Sequence, residues 1–319
     1  MKLIIQIPCL NEAESLPQTL AHLPKHIHGI DVIETLVIDD GSTDNTSEVA
    51  RQQGVHHVVR LTKCKGLATV FQIGLDASLK KGADIIVNTD ADGQYKGEDI
   101  PRLVKPILEG KADIVIGNRD IENIQQFSWL KKCLQRVGSA VVRQLAGSNI
   151  TDATTGFRAY NREAALRLNI VSDYTYTLES IIQAESKNLA IENITITTNE
   201  VKRESRLFKS IPEYIKHSLR TLIRVYAMFN PLKIFATAGT FFLFLGFLIG
   251  CRFLYYYLLY SGSGKIQSLI LAAVFVIIGF QLLVVALVSD LISANRRLIE
   301  DCLLRIKKIE LNIKKQESS

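Results

Sequence analysis

Between Ile266 and Ser289 no residue carries a charge, and the same holds from Ile234 to Cys251. As a helix rising 1.5 Å per residue, the longer run would cover roughly 36 Å, enough for a hydrocarbon core of about 30 Å. The other run reaches a similar length if Arg252 extends its guanidinium to the interface. Nothing else in the chain limits the fold as strongly. Two such runs, separated by a short segment with Ser261–Gly264 at its turn, read as a transmembrane hairpin. The alternative is a pair of buried helices in a soluble protein, where charge-free runs of this length are rare.

The flanks set an expected orientation. Lys209, Lys216, Arg220, Arg224 and Lys233 precede the first run, and Arg296, Arg297, Arg305, Lys307 and Lys308 follow the second. The connecting segment offers only Arg252 and Lys265. Basic flanks stay on the cytoplasmic side, so both chain ends are expected there, in an integral protein of the cytoplasmic membrane. The first residues, "MKLIIQIPCLNEAE", start directly as a strand, so no signal peptide is expected. The five cysteines (Cys9, Cys64, Cys133, Cys251, Cys302) show no CxxC spacing, which suggests neither a zinc site nor a disulfide framework and fits a reducing compartment.

Charge is unevenly distributed. Residues 1–200 carry 21 basic and 25 acidic side chains, and the remaining 119 carry 17 and 7. A mildly acidic first part joined to a basic second part suggests a soluble domain tethered to an anionic surface rather than a nucleic-acid binder. The expected layout is a cytoplasmic domain over 1–208, an amphipathic juxtamembrane region over 209–231, two spans over 232–289 and a C-terminal helix over 290–319.

Within the soluble part, short apolar runs alternate with helix-like segments. "KLIIQIP", "VIETLVIDD", "HHVVRL", "ADIIVNTD" and "ADIVIGN" read as strands, with helices expected over 12–23, 44–53, 67–81 and 99–109. Thr43 or Asp44 can cap the second helix. This order predicts a parallel α/β sheet with ligands beyond the carboxyl ends of its strands. The unusual residues sit there: "IPCLNE", "DDGSTDNT", "DADGQ" and "GNR". No GxGxxG follows the first strand and no GxxxxGK[ST] occurs, which disfavours a dinucleotide fold and a P-loop NTPase.

Asp90 and Asp92 are the sharpest feature. Two apart at a strand end, they can face one point, where their charges repel unless a cation lies between them. Hard carboxylate oxygens select Mg²⁺ or Mn²⁺, which keep positions open for phosphate oxygens. The amide of Gln94 could add a ligand. A simple turn around Asp92–Gly93 is the competing interpretation.

The ordered set "PCLNEAE", "VIDDGSTDNT", "KGLATVFQIGL", "TDADGQY" and "GNR" resembles the successive motifs of GT-A glycosyltransferases of family 2, and most of all the polyprenyl-phosphate glycosyltransferases. The resemblance covers residues 1 to about 230, and the two-span tail is similar to the bactoprenol branch. It implies an α/β GT-A domain followed by an interfacial helix and a transmembrane hairpin. It also implies roles. Pro8, Leu10, Asn11, Glu12, Ile38, Asp39, Asp40, Lys65 and Ala91 would line the nucleotide-sugar site. Asp90, Asp92 and Gln94 would hold the metal, and Arg119 would approach the donor. Asp152 in "TDATTGFR" would lie near the acceptor, orienting it or helping to hold the metal. The family usually shows a Gly-x-Ser-Lys-like element after the last strand. Here the stretch is "KRESRLFKS", which leaves the phosphate partners of Arg203, Arg206 and Lys209 open.

The expected activity is inverting transfer of a hexose, glucose from UDP-glucose in the first instance, to undecaprenyl phosphate or a related lipid. A GDP-mannose donor and a non-catalytic membrane scaffold that binds nucleotide sugar are the alternatives. A processive synthase would need a QxxRW motif and more spans. Before the first span, Ile211, Tyr214, Ile215, Leu219, Leu222, Ile223 and Tyr226 share one helical face, while Lys216, His217, Arg220 and Arg224 share another. Such a helix can lie in the interface or pack on the soluble domain. After the second span, Ile292, Ile299, Ile306 and Ile313 recur every seven residues, with Asn295, Cys302 and Ile309 at the second seam position. This suggests either a coiled coil in a homo-oligomer, a tetramer among the options, or a basic helix docked on its own domain or the bilayer.

Overall fold

The computed structural model describes residues 1–119, 152–172, 175–199, Arg220, 230–259 and 266–317, with side chains as far as 313. The chain divides into two compact units, Met1–Val225 with Leu304–Ser319, and Tyr226–Leu303.

The first unit is built on a seven-stranded sheet. In chain order its elements are β1 (Lys2–Cys9), α1 (Leu16–Ala21), β2 (Val32–Asp39), α2 (Thr46–Gln52), β3 (His57–Arg60), α3 (Leu67–Lys80), β4 (Ile85–Asn88), α4 (Ile100–Leu108), β5 (Ile114–Arg119), β6 (Arg158–Asn161), α5 (Arg162–Arg167), α6 (Tyr176–Ser186) and β7 (Ile191–Ile196). The strand order is β3-β2-β1-β4-β6-β5-β7. β1 lies inside the sheet, hydrogen-bonded to β2 and β4, and Leu3, Ile4, Ile5 and Ile7 are fully buried. Helices cover both faces, so the strands read as unbroken apolar runs rather than alternating ones.

The parallel pairing expected from the sequence holds for β1 to β4, and β5 is parallel to β7. Strand β6 departs from it, running antiparallel between β4 and β5. Its apolar content is short (Ala159 and Tyr160 between Arg158 and Asn161), so sequence periodicity gives it little signal. The antiparallel insertion matters for the site. It carries the loop that starts at Asp152 to the carboxyl end of β4.

In the second unit, α7 (Pro231–Leu259) and the first part of α8 (Ile266–Glu317) form a close pair. Both helices are long and apolar enough to cross a membrane, with mean hydropathy 2.1 and 2.9 over the most apolar 18-residue stretch of α7 and α8. They approach through glycine. A Cβ on Gly239 would lie 2.9 Å from the carbonyl oxygen of Gly279, and a Cβ on Gly279 would lie 2.7 Å from the backbone nitrogen of Leu243. Small residues at helix crossings give the backbone contact on which packing in lipid depends. Phe241, Phe244, Phe247, Phe280 and Leu287 point outward and are exposed.

The helix expected over 290–319 is the continuation of α8, which runs unbroken to Glu317. No Gly or Pro follows Gly279, so nothing in the sequence stops it. Its last turns, from Leu304 on, belong to the first unit. Lys307 Nζ donates to Asp76 Oδ1 and to Asn169 Oδ1 at 3.1 Å, Lys308 pairs with Glu163 and Lys80 with Glu310.

Candidate active site

The loops after β1, β2 and β4 meet at one end of the sheet. The first two are zipped together. Asn11, held at the left-handed φ of 54°, donates its N–H to Ser42 Oγ at 2.9 Å and accepts from the Thr43 N–H at 2.8 Å through Oδ1. Glu12 donates its N–H to Thr46 Oγ1, and Ala13 donates to Asp44 Oδ2. A strained non-glycine backbone at a strand end is held only where its surroundings fix it, and here four hydrogen bonds to the β2 loop do so.

Asp39 and Asp40 lie within this frame. Asp39 is fully buried, accepting from the Ser42 N–H and the Ser47 hydroxyl. Asp40 accepts from the Lys65 N–H at 2.7 Å, the Gly66 N–H at 2.9 Å and the Cys64 thiol. Asp39 thus braces the start of α2 and Asp40 the turn that starts α3. Gly41 between them has φ 72°, and any Cβ would sit 2.7 Å from the carbonyl carbon of Lys63, so only glycine fits. A shallow depression lined by Gly41, Ser42, Arg60, Leu61 and Thr62 opens beside the frame. Pro8 is half-buried, Leu10 and the Lys65 side chain are exposed, and Ile38 and Ala91 are buried. Of the expected nucleotide-contacting set, Ile38 therefore belongs to the core and Asp39 to the frame, while Ala91 offers its surroundings a backbone carbonyl that accepts from Thr19 Oγ1.

Asp90 and Asp92 follow β4. Asp92 is exposed and accepts from the Gln94 N–H at 3.0 Å. Asp90 is partly covered, and among the described residues no hydrogen bond to its carboxylate is seen. Loss of water and the charge of Asp92 push its carboxyl group up to about 7. That electrostatic cost is what a divalent cation would relieve, and the donor set is carboxylate oxygen, so these residues fit Mg²⁺ or Mn²⁺. Among the described residues no cluster of three or more His, Cys, Asp or Glu groups forms a denser alternative.

On the β6 side, Arg119 and Asp152 form a bidentate pair. Arg119 Nε donates to Asp152 Oδ2 at 2.7 Å and Nη2 to Oδ1 at 3.1 Å, and Nη2 also donates to Thr154 Oγ1 at 2.8 Å. Asp152 is fully buried; despite that burial, the guanidinium and the Thr154 bonds hold its carboxyl below the usual range. Arg119 thus aims at Asp152, and Asp152 enters the site as a neutralised partner rather than a free base.

Several contributors carry no sequence signal. Gly156 backs onto Asp90, where a Cβ would lie 3.1 Å from Oδ1 and 3.2 Å from Oδ2. Its N–H donates to the Tyr95 hydroxyl, and its carbonyl accepts from Asn88 Nδ2 at 2.8 Å and from the Tyr176 hydroxyl at 3.2 Å. The glycine of "TTGFR" could have been flagged as a close-approach position, but Asn88 and Tyr176 are 88 positions apart and meet only in the fold. Arg203, Arg206, Lys209, Ile211, Ile215, Leu219, Leu222 and Arg224 lie outside the described residues, and Arg220 is exposed.

A mixed sheet in the order 3-2-1-4-6-5-7, with an acidic pair at the end of β4 facing a frame built on β1 and β2, defines the chain as a glycosyltransferase of the GT-A class. It belongs to glycosyl transferase family 2, whose family model matches residues 4–168. The chain is 32% identical to an undecaprenyl-phosphate mannosyltransferase of Micrococcus luteus over 64% of its length and 85% of the relative's. It is 28% identical to a polyprenol monophosphomannose synthase of Mycolicibacterium smegmatis, over 62% and 77%. Among solved structures, glucosyl-3-phosphoglycerate synthase of Mycobacterium tuberculosis, in complex with Mn²⁺, UDP and glucosyl-3-phosphoglycerate, shares the fold. Its TM-score is 0.56 at 20% identity, covering 72% of this chain and 79% of that one.

Proposed function

We propose that the protein transfers one hexose from a nucleotide diphosphate sugar to a polyprenyl phosphate at the cytoplasmic face of a membrane. The observation that carries this reading is the contrast between the two carboxylate sites. Asp90 and Asp92 follow one strand end, and burial with the charge of Asp92 pushes the Asp90 carboxyl up to about 7, a cost that a cation bound there with a diphosphate would relieve. Asp152, the acid on the other side, is tied to Arg119. A sugar hydroxyl as acceptor would call for a general base. A phosphate monoester is already anionic at pH 7 and needs none, which suits a neutralised Asp152. The two relatives named above act on polyprenyl-type lipids by their names, and the two apolar helices would keep the domain beside such a lipid.

In this reading an acceptor phosphate oxygen attacks the anomeric carbon, and the bond to the diphosphate breaks with its electron pair on the departing oxygen. Direct displacement inverts the centre, so an α-linked donor gives a β-linked lipid phosphate. Asp90 and Asp92, with Gln94 beside them, would hold Mg²⁺ or Mn²⁺, which supplies positive charge for the departing diphosphate. Arg119 holds Asp152 and Thr154 in place and contributes a fixed cation to the crevice wall. Asn11 and the Gly41–Ser42 backbone shape the nucleoside end.

Glucose and mannose are the two sugars this reading puts first. UDP-glucose is the sequence-based expectation and GDP-mannose its alternative, and the names of the two relatives, which specify mannose, support the alternative sugar. Detergent-solubilised full-length protein with Mg²⁺ or Mn²⁺, undecaprenyl phosphate and radiolabelled UDP-glucose, UDP-N-acetylglucosamine or GDP-mannose tests the reading. Label entering the lipid phase from one donor supports it and identifies the sugar. Donor binding with no lipid product from any of the three would favour the non-catalytic scaffold.

A further inference from the structure

Tyr176 opens α6 and is fully buried. Its ring stacks flat on Phe71 of α3, with centroids 3.8 Å apart and planes 3° from parallel. A phenylalanine would fill that stack equally well, so the buried hydroxyl needs a reason of its own. It accepts from Asn88 Nδ2 at 2.8 Å and donates to the Gly156 carbonyl at 3.2 Å. Asn88 in turn accepts from Gln6 Nε2 at 2.9 Å, which anchors the hydroxyl to β4 and β1. Gly156 also donates its N–H to the Tyr95 hydroxyl, and the Tyr95 ring stacks on Phe157. The glycine is thus held between two buried phenols.

The group that this arrangement backs is Asp90. A Cβ on Gly156 would lie 2.9 Å from the Tyr176 hydroxyl oxygen and 3.1 Å and 3.2 Å from the carboxylate oxygens of Asp90. Hydroxyl and carboxylate therefore border one small space. Burial, and after it the negative charge of Asp90, push the Tyr176 phenol well above its usual range, which keeps it a neutral O–H. Among the described residues the Asp90 carboxylate makes no hydrogen bond, so its position follows from what it rests against.

We propose that Tyr176 is a positioning residue that sets the depth of Asp90 beside Asp92, and through it the preference of this site for Mg²⁺ or Mn²⁺ over the larger Ca²⁺. The inference rests on the cation role given above to Asp90 and Asp92. Small ions need their ligands close in, Mg²⁺ at about 2.1 Å in near-octahedral order, while Ca²⁺ takes oxygens at about 2.4 Å in looser sets. A carboxylate backed by a rigid wall cannot draw away from its neighbour. Without the hydroxyl, the shared space widens by one oxygen atom. Asp90 can then lean inward, away from the exposed Asp92. That change penalises the small ions and spares Ca²⁺. Residues that support a metal ligand from behind commonly contribute about tenfold or more to affinity.

Tyr176→Phe tests this, with Tyr160→Phe as the control. Tyr160 is also fully buried and its ring meets the edge of Phe71, but it pairs with Ile86, well before Asp90 along β4. Full-length protein in detergent is titrated with Mn²⁺, followed by the electron paramagnetic resonance signal of the free ion. Mg²⁺ or Ca²⁺ is then used to displace it. We expect Tyr176→Phe to weaken Mn²⁺ and Mg²⁺ about tenfold while Ca²⁺ stays within about twofold. The melting temperature should change little, because Asn88 keeps its bond to the Gly156 carbonyl. Tyr160→Phe should leave the ratio of Mg²⁺ to Ca²⁺ affinity where it is. An unchanged ratio in Tyr176→Phe would overturn the proposal, as would an equal loss for all the ions or the same shift in Tyr160→Phe. Wild-type protein that retains no Mn²⁺ would instead remove the metal role of Asp90 and Asp92, and this inference with it.

Discussion

Asp90 is the group on which the site's electrostatics turn, and Asp90→Asn tests them directly. Removal from water is the largest cause of its shift, followed by repulsion from Asp92, with Arg119 pulling the other way. The carboxyl group moves from 3.8 to about 7. About three units correspond to roughly 4 kcal/mol, and solvent at the crevice mouth brings the expected effect to about 2–4 kcal/mol. The unfolded chain gives up this proton near 3.8 and the folded chain only near 7. Over that window the folded state binds more protons, so stability falls as pH rises through it, and the whole penalty is present above pH 7. Asparagine carries no charge to bury. Without divalent cation at pH 8, Asp90→Asn should therefore raise the melting temperature of the full chain in detergent, on the order of 5–10 °C. At pH 4 the two proteins should melt together. Adding Mg²⁺ or Mn²⁺ at pH 8 should stabilise the wild type and leave the variant unmoved. No gain at pH 8, or the same gain at pH 4, would refute the argument that like charge and lost water set this site.

Asp92→Asn should abolish metal-dependent transfer while leaving fold and membrane insertion intact; full activity in that variant under chelator would remove the metal assignment. Asp152→Asn leaves the guanidinium of Arg119 buried without its counter-charge and should cost about 3–5 kcal/mol in denaturant unfolding. Combining it with Arg119→Gln should recover part of that loss, and a fully additive double variant would argue against the pair. Gly156→Ala presses a methyl group against Asp90 and should weaken Mn²⁺ binding, read by titration calorimetry, at least tenfold, with less than about 2 kcal/mol lost in stability; unchanged binding would show that Asp90 has room to move.

How far the sequence carried can be judged from particular residues. β1, β2 and β4 were legible because strands buried on both faces read as uninterrupted apolar runs, and their last residues change character abruptly at Pro8, Asp39 and Asp90. Helices α2, α3 and α4 sit within a few residues of their expected bounds for the same reason. β6 was not legible, since four residues with a polar residue at either end carry no period. What hid the site's finer structure was range. The Arg119–Asp152 pair joins positions 33 apart, and Asn88, Tyr176 and Gly156 converge from three elements. The resemblance marked Arg119 and Asp152 as site residues but not as partners, because a motif records which residue types recur and not which way they turn.

That pairing changes what the motif means chemically. Read along the sequence, the chain offers Asp39, Asp40, Asp90, Asp92 and Asp152 as five candidate acids for one crevice. In the fold, Asp39 and Asp40 are spent on backbone N–H groups, hydroxyls and a thiol, and Asp152 on a guanidinium. Hydrogen bonds and opposite charge of this kind lower a carboxylate's basicity, as Asp152 shows. Asp90 differs: among the described residues no hydrogen bond to its carboxylate is seen, and burial and the nearby charge of Asp92 raise its pKa. With Asp152 tied to Arg119 and Asp90 raised by burial and like charge, the arrangement supports the proposed reading, in which a cation at the end of β4 would meet the departing diphosphate and an already anionic acceptor needs no general base.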